Sequence, residues 1–501
     1  MSNLDDLLLQ ATGASEPTLI ERRSSPVGGV DPLGLRQINF DLMDEVLPGL
    51  NNVAEKIRPF VLMTWAWRRV RYIVEQDKKG GATDDEMRDF VDRIEAIYAW
   101  SQFLIDPKAG IPGGQALDQL IHGKSKKYSF GGPEWEKRRD LRRTSTGLIS
   151  PLNYGPGLRS MGWLIPVGPA GVFRPNPELD PMLDAFEARF DELLEHKAFN
   201  ELGAITVKRK DVRKWGGMWA LDDPTEKEQE AAFSRLAGPS SNPKRRDGMA
   251  LIEATIEKQS DDEFDVHDIR AKMAETEKGN YDDQAIISKA NAWRKVQTRQ
   301  LFRLSLEGMF YWLVGELIDG PLSSESISER FVQNTIDSDA ITAEQWFLTK
   351  TDNPVGLLEE LNDALRGSGD FGIPELIRQG IAFCLTEIEE ERENVAQAND
   401  RLPISRAKSE FKNWRNLSPQ KCVIKIVEGW VLAQHAYWCV GRGLADARGR
   451  GKTLLRLRVV IEEGGWSLTP GANQGNPPVA TPDRLQTALG LLNDCGRIPI
   501  Q

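Results

Sequence analysis

The stretch from residue 250 to residue 446 limits the fold most strongly, because nearly all of it has helical periodicity. Apolar side chains recur there three and four positions apart, which is the spacing of one face of an α-helix. Earlier in the chain, Thr83 and Glu86 have the spacing of a capping box, and Met87 and Phe90 follow at helical intervals. Strand-like segments are few and short. The sequence therefore predicts a mainly α-helical, multi-lobed protein.

Changes in composition divide the chain into six predicted segments. In order, they are a flexible N-terminal arm (1–34), an N-terminal helical domain (35–120), a winged-helix-like module (121–200), a basic and polar connector (201–248), a C-terminal helical domain (249–465) and a C-terminal loop and helix (466–501). No period of 20–50 residues repeats, which argues against a regular solenoid.

A Gly/Pro-rich motif between residues 150 and 190 is the most specific local pattern. It predicts a short helix ending at Gly162, then strands at 163–167 and 172–174 around a turn at 168–171. A helix followed by two strands around a tight turn is the outline of a winged helix, whose hairpin contacts the DNA backbone. The alternative is a winged-helix-like module that packs against other subunits.

The net charge of −11 argues against a uniformly basic nucleic-acid surface, but the basic residues are concentrated locally. Windows 124–143, 207–214 and 442–458 are strongly positive, so the rest of the chain is acidic. Local basic patches neutralise phosphates without reading sequence. The predicted DNA-contacting side chains are Lys137, Arg138, Arg139, Arg142, Arg143, Arg159, Arg174, Lys208, Arg209, Lys210, Arg213, Lys214, Arg448, Arg450 and Lys452.

Tryptophans accompany two of the basic stretches. Trp215 and Trp219 follow the window at 207–214, and Trp65 and Trp67 precede three arginines. Aromatic rings interleaved with cations suit single-stranded nucleic acid, because rings stack on bases. The favoured interpretation is nevertheless that these tryptophans are buried in the core beside solvated arginines.

No motif predicts a catalytic residue, a metal or a cofactor. The Gly451-Lys452-Thr453 tripeptide lacks the first glycine of a phosphate loop, since position 446 is Asp, and it follows a helix instead of a strand. We interpret its glycines and basic residues, with Gly441 and Gly443, as a helix C-terminal cap. His435 and Cys439 have the spacing of two metal ligands, but their apolar neighbours favour core packing.

Cysteine content and hydropathy predict a cytoplasmic protein. Four cysteines are too few for a disulfide framework, and no secretory signal opens the chain. No uncharged apolar run reaches 18 residues, so we expect no contact with a membrane.

Three groups of short motifs resemble a known class of proteins. They are DPLG at 31–34 with VLPGLNN at 46–52, YGPGLRSMGWL at 154–164, and EGGW at 463–466 with TPDRLQTAL at 481–489. They resemble poorly characterised bacterial proteins of this size that are encoded in anti-phage defence islands, often beside helicases or nucleases. The resemblance implies an accessory subunit of a multi-component defence system and assigns no catalytic residues.

The residues and the resemblance together predict a non-catalytic subunit that binds DNA, a partner protein, or both, in a bacterial defence complex. One alternative is a metal-dependent nuclease effector, since the Asp77-x-Lys79 and Glu410-x-Lys412 pairs have a suitable spacing. The other is a purely protein-binding helical scaffold whose tryptophan-rich helices are interfaces.

Overall fold

The computed structural model describes most of the chain. The described residues are 31–76, 81–108, 111, 126–140, 153–168, 171–258, 265–276, 281–348, 351–367, 372–387, 401–450 and 456–498; side chains at 191–192 and 444–450 are not among them. Most of the predicted N-terminal arm lies outside these ranges. No helix within them is long and apolar enough to span a bilayer.

Short strands interrupt the helices in the first half of the chain. Its elements are α1 (Arg36–Val46), α2 (Arg58–Gln76), α3 (Asp84–Ile105), β1 (Lys127–Phe130), α4 (Pro133–Asp140), α5 (Gly155–Ser160), β2 (Leu164–Val167), β3 (Val172–Pro175), α6 (Asp180–Glu187), α7 (Asp191–Leu194), α8 (Lys197–Asn200), β4 (Ile205–Lys208), α9 (Arg209–Gly216), α10 (Glu226–Ala237) and α11 (Pro243–Glu257).

Helices dominate the second half. Its elements are α12 (Val266–Met273), α13 (Gln284–Glu316), α14 (Ser324–Gln333), α15 (Ala343–Trp346), α16 (Pro354–Leu365), α17 (Ile373–Thr386), α18 (Ile404–Trp414), α19 (Pro419–Lys425), a π-helical segment (Ile426–Leu432), α20 (Ala433–Arg450), β5 (Val459–Glu462), β6 (Gly465–Leu468) and α21 (Leu485–Asp494).

The predicted mainly α-helical class is confirmed. The strands described here form three antiparallel pairs, β1–β4, β2–β3 and β5–β6. The β2–β3 hairpin is the one predicted from the Gly/Pro motif, and Gly168 and Gly171 have positive φ at its turn. Thr83 and Glu86 form the predicted capping box of α3. These features were predictable because each depends on residues that are close in sequence.

The chain forms two compact units, each built from separate parts of the sequence. The first unit contains the described residues of Asp44–Val266, Tyr281–Lys289 and Pro482–Gln501. The second unit contains those of Met1–Met43, His267–Asn280 and Ala290–Thr481.

The segment 201–248, expected to be a connector, is instead part of the first unit. It contains β4, α9 and α10, and β4 pairs with β1 across the expected boundary at residue 200. Thr225 forms a capping box with Glu228, and Asn242 caps α11 before Pro243. Part of the polar composition of this segment therefore belongs to helix caps.

Residues 31–34, at the end of the expected arm, are packed into the second unit. Leu33 is fully buried, and the Asp31 carboxylate accepts a hydrogen bond from the backbone N–H of Leu35. The surrounding apolar core is centred on α13, whose buried face includes Leu301 and Phe310.

An aromatic cluster forms much of the core of the first unit. The Trp65 ring lies 5.3 Å from that of Phe190, and Phe199 lies 5.8 Å from Trp219, both edge to face. Edge-to-face contacts align the positive ring edge with the negative ring face. The indole N–H of Trp65 donates to Glu187, which satisfies its polar atom.

Arg245 of α11 is buried and forms no ion pair with a carboxylate among the described residues. Its guanidinium donates to the carbonyl oxygens of Leu236, Pro48 and Arg235 at 2.8–3.1 Å. Two of these carbonyls lie in the last turn of α10, where no intrahelical donor is available. The Arg245 guanidinium therefore links the end of α10 to Pro48, which follows α1, through hydrogen bonds.

We expect Arg245→Lys to reduce the free energy of unfolding by about 2 kcal/mol. An ammonium group has no planar fork, so it leaves buried carbonyls without donors. Arg246→Lys is the matched control; the Arg246 side chain is 43% exposed, and its variant should change stability by less than about 0.5 kcal/mol. Urea unfolding of the full chain measures both. Equal effects would contradict the role of Arg245.

Candidate nucleic-acid interface

The β1–β4 pair brings two basic stretches of the sequence side by side. Lys127 lies directly opposite Lys208, and the backbone N–H of Arg209 donates to the carbonyl oxygen of Lys126 at 2.9 Å. Both lysines of the opposed pair are exposed. Lys126 and Lys127 belong to the predicted basic window 124–143 but were not among the predicted DNA-contacting side chains, because nothing local indicates that they meet the window at 207–214.

The apolar face of this strand pair fixes which side chains point outward. Ile205 and Val207 of β4 are buried and alternate with exposed Thr206 and Lys208, as the period of two along a strand requires. On β1, Phe130 is buried, and its ring lies 5.0 Å from that of Trp135.

Helix α9 continues from β4 and carries the remaining cations. Its Trp215 is buried, and Gly216 packs so closely on α3 that an added Cβ would lie 2.9 Å from the carbonyl oxygen of Ser101. Its opposite face exposes basic side chains. We call the combined set the basic ribbon: Lys126, Lys127, Lys208, Arg209, Lys210, Arg213 and Lys214.

The positions of these cations are electrostatically unfavourable. Lys208 is the N-cap of α9 and makes no side-chain cap, and Arg209 and Lys210 follow in the first turn, where Asp211 is the one acidic residue. Cations are disfavoured at the positive end of a helix dipole, and like charges directly opposite each other destabilise a strand pair. Within the described residues, Lys126, Lys208, Lys210 and Arg213 form no ion pair.

The helical part of the first predicted basic window, on α4, is placed differently from Lys126 and Lys127. Arg138 and Arg139 of α4 lie against acids of α3, with nitrogen–oxygen distances of 3.5 Å to Asp92 and 2.9 Å to Asp89. Arg138 also lies over the Trp135 ring at 4.8 Å. Lys137 is exposed, whereas predicted residues Arg142 and Arg143 lie outside the described ranges.

Two of the predicted DNA-contacting side chains come before and after the β2–β3 turn in the sequence. Arg159 on α5 and Arg174 on β3 are both exposed. Helix α5 has only six residues, Gly155–Ser160. A winged helix therefore stays a prediction, although its hairpin is confirmed.

The third window lies at the end of α20. The helix continues through Gly441 and Gly443 to Arg450, so the expected cap at these glycines is wrong. Helical backbone tolerates glycine at a modest cost when the rest of the helix is well packed. The side chains of Arg448 and Arg450, and residue Lys452, lie outside the described part of the structure.

The tryptophans beside basic residues are core residues, as the favoured interpretation expected. Trp65, Trp67 and Trp219 are at most 1% exposed, and Trp215 is 6% exposed. None of the four rings presents a face on which a base could stack.

His435 and Cys439 are buried side by side in the second unit, and each forms hydrogen bonds with the backbone. The Nε2 atom of His435 accepts from the backbone N–H of Arg458 at 3.0 Å, so Nδ1 carries the proton and donates to the carbonyl oxygen of Pro32 at 2.9 Å. The Cys439 thiol donates to the carbonyl oxygen of Arg456. Both ring nitrogens are thus occupied, and no cluster of potential metal ligands occurs among the described residues.

No protein-family model matches the chain, and neither does a curated protein or a solved structure.

We expect the stability of the chain to decrease in acid because of His435. Burial lowers its pKa to about 4, whereas a histidine in an unfolded chain titrates near pH 6.5. Between these two pKa values, the imidazole binds a proton in the unfolded chain but not in the folded chain. Burial of the neutral His435 side chain therefore contributes about 3 kcal/mol to the free energy of unfolding above about pH 6.5, and this contribution is lost as the pH falls toward 4.

Urea unfolding between about pH 4.5 and 7.5 measures this effect. His435→Gln keeps one donor and one acceptor but does not titrate, so its stability should depend less steeply on pH. A variant whose pH dependence equals that of the wild type would contradict the assignment.

Proposed function

We propose that this chain is a non-catalytic DNA-binding protein whose basic ribbon contacts backbone phosphates. The observation that supports this most directly is the cluster of cations at Lys208–Lys210, which lies at the positive end of α9, with Lys208 directly opposite Lys127 on β1. Lys208 and Lys210 form no ion pair among the described residues, and cations at this end of a helix interact unfavourably with its dipole. An anionic ligand offsets that interaction, and closely spaced phosphates match closely spaced cations.

The proposed contact is independent of DNA sequence. Lysine and arginine side chains bind phosphates mainly as charges, which gives affinity that depends on salt but does not distinguish bases. The resemblance to defence-island proteins supplies the proposed setting, an accessory subunit of a multi-component cytoplasmic system in which another subunit carries out the chemistry.

DNA binding by the full chain should weaken steeply as salt rises. Fluorescence anisotropy with a labelled duplex of mixed sequence, between about 50 and 300 mM salt, measures the slope of log K against log salt. Replacing Lys126, Lys208, Lys210 and Arg213 by alanine should reduce that slope by roughly 3 to 4, because each phosphate contact contributes about 0.9.

The matched control replaces three lysines and one arginine of the second unit. Lys412, Lys421, Lys425 and Arg366 are exposed and form no ion pair among the described residues. Their alanine variant should bind DNA nearly as tightly as the wild type. Equal losses in both variants, or no binding by the wild type at 50 mM salt, would overturn the proposal.

Lys208→Glu should make the free protein more stable while it weakens DNA binding. A carboxylate at the N-cap of α9 interacts favourably with the helix dipole and with Lys127, gaining roughly 0.5–1 kcal/mol. Urea unfolding at low salt measures the stability. Lys137→Glu is a contrasting control, because Lys137 lies in the last turn of α4, where a cation is favourable. A loss of stability in Lys208→Glu would contradict the unfavourable placement of the wild-type lysine.

A further inference from the structure

Arginines from separate parts of the second unit gather beside α20. This set, here called the arginine cluster, consists of Arg401, Arg442, Arg456 and Arg458. One of them lies on α20, two precede β5, and Arg401 precedes α18. The basic window at 442–458 was evident in the sequence, but no local pattern joins Arg401 to it.

Hydrogen bonds hold the segment before β5 against α20. The backbone N–H of Arg458 donates to the Nε2 atom of His435 at 3.0 Å, and the Cys439 thiol donates to the carbonyl oxygen of Arg456 at 3.4 Å. Arg442 follows Cys439 by three residues, so both lie on the same side of the helix. Arg456 and Arg458 are therefore held beside the part of α20 that carries Arg442.

The Cys439 thiol shows that three of these guanidiniums lie near one another. Burial raises the pKa of this thiol to about 11, and the positive charges of Arg458, Arg456 and Arg442 act in the opposite direction. Interactions between charges weaken with distance, so all three charges lie close to the thiol. The sulfur atom of Cys439 thus marks the centre of the arginine cluster.

Arg401 reaches the same side of α20 through Trp438. Its guanidinium carbon lies 5.9 Å from the centroid of the Trp438 ring. Trp438 precedes Arg442 by four residues, which places the two side chains on one side of the helix. An added Cβ at Gly34 would collide with the Trp438 ring, so residues 31–35 pack on this side too. Arg442, one turn further along, is exposed.

The described residues supply no counter-charge for the arginine cluster. None of its four members forms an ion pair with them, and the guanidiniums of Arg401, Arg442 and Arg456 form no hydrogen bond with them either. The Arg458 guanidinium donates to the neutral carbonyl oxygen of Gln474 at 2.9 Å, and burial lowers its pKa.

The burial of these side chains makes the missing counter-charge costly. Arg401, Arg456 and Arg458 are half-buried. A charge that is partly withdrawn from water is unfavourable unless an opposite charge accompanies it, and neighbouring like charges repel. A bound anion supplies that opposite charge and occupies the free N–H donors.

We propose that the arginine cluster binds the diphosphate or triphosphate group of a small phosphorylated ligand. Guanidiniums present planar forks of N–H donors that match phosphate oxygens. Guanidiniums gathered around one thiol suit a compact polyanion, whereas a DNA backbone presents phosphates spaced along a line. This site goes beyond the proposed DNA contact, because the basic ribbon lies in the first unit and shares no residue with it.

Isothermal titration calorimetry of the full chain with inorganic triphosphate tests the proposal. At fixed ionic strength, the wild type should bind triphosphate with a dissociation constant below about 1 mM, and more tightly than inorganic phosphate. Arg442→Gln should weaken triphosphate binding at least about tenfold, because it removes charge-assisted hydrogen bonds. Arg366→Gln is the matched control, since Arg366 is exposed in the same unit and forms no ion pair among the described residues.

Urea unfolding separates binding from a structural role of Arg442. Without ligand, the midpoint of Arg442→Gln should be no lower than that of the wild type, because the exposed Arg442 side chain has no partner among the described residues. Saturating triphosphate should raise the midpoint of the wild type and of Arg366→Gln, since a ligand that binds the folded state stabilises it. It should raise the midpoint of Arg442→Gln much less.

Competition with DNA distinguishes a small ligand from a nucleic-acid backbone. At fixed ionic strength, saturating duplex should leave triphosphate binding unchanged, and so should the alanine variant of the basic ribbon. Displacement of triphosphate by the duplex would instead assign the arginine cluster to DNA phosphates and overturn the proposal. Neither heat nor stabilisation with wild-type protein would also overturn it, as would equal triphosphate affinities of Arg442→Gln and Arg366→Gln.

Discussion

Buried arginines that donate to backbone carbonyls recur inside each unit, and the position of the basic ribbon depends on one of them. Arg93 of α3 donates to the carbonyl oxygens of Gly203 and Glu201 at 2.7 and 2.6 Å. Burial lowers its pKa to about 10, so the guanidinium is still charged at neutral pH. In the second unit, Arg299 of α13 donates to the carbonyl oxygens of Leu402 and Arg401 at 2.7 and 3.0 Å. These side chains supply donors to loop carbonyls that would otherwise be buried unpaired.

The Arg93 interaction links stability to the proposed function. Gly203 and Glu201 immediately precede β4, so the contact that packs this segment on α3 also determines where Lys208 emerges. The inward-facing Val207 and Trp215 hold β4 and α9 against the core, and the alternate positions carry the cations. The buried face of β4 and α9 therefore provides the stabilising contacts, and the cations lie on their exposed face.

Much of the local structure was predictable from the sequence, and so were most residues of the basic ribbon, whereas their position beside Lys126 and Lys127 was not. The α3 capping box and the β2–β3 hairpin depend on residues a few positions apart. The basic ribbon depends on the pairing of Lys127 with Lys208, which lie far apart in sequence. Arg139 shows the converse, because its basic window was evident but its partner Asp89 belongs to an earlier helix. Charge density is a local property, and charge pairing is not.

The sequence by itself determined the helical class, the α3 capping box, the β2–β3 hairpin and the burial of tryptophans beside arginines, because periodicity and residue type set these features locally. The tertiary structure alone decided which basic residues are exposed together, which are held by acids, and which arginines gather beside α20. Those outcomes depend on contacts between distant segments, and a single sequence contains no local signal that specifies such contacts.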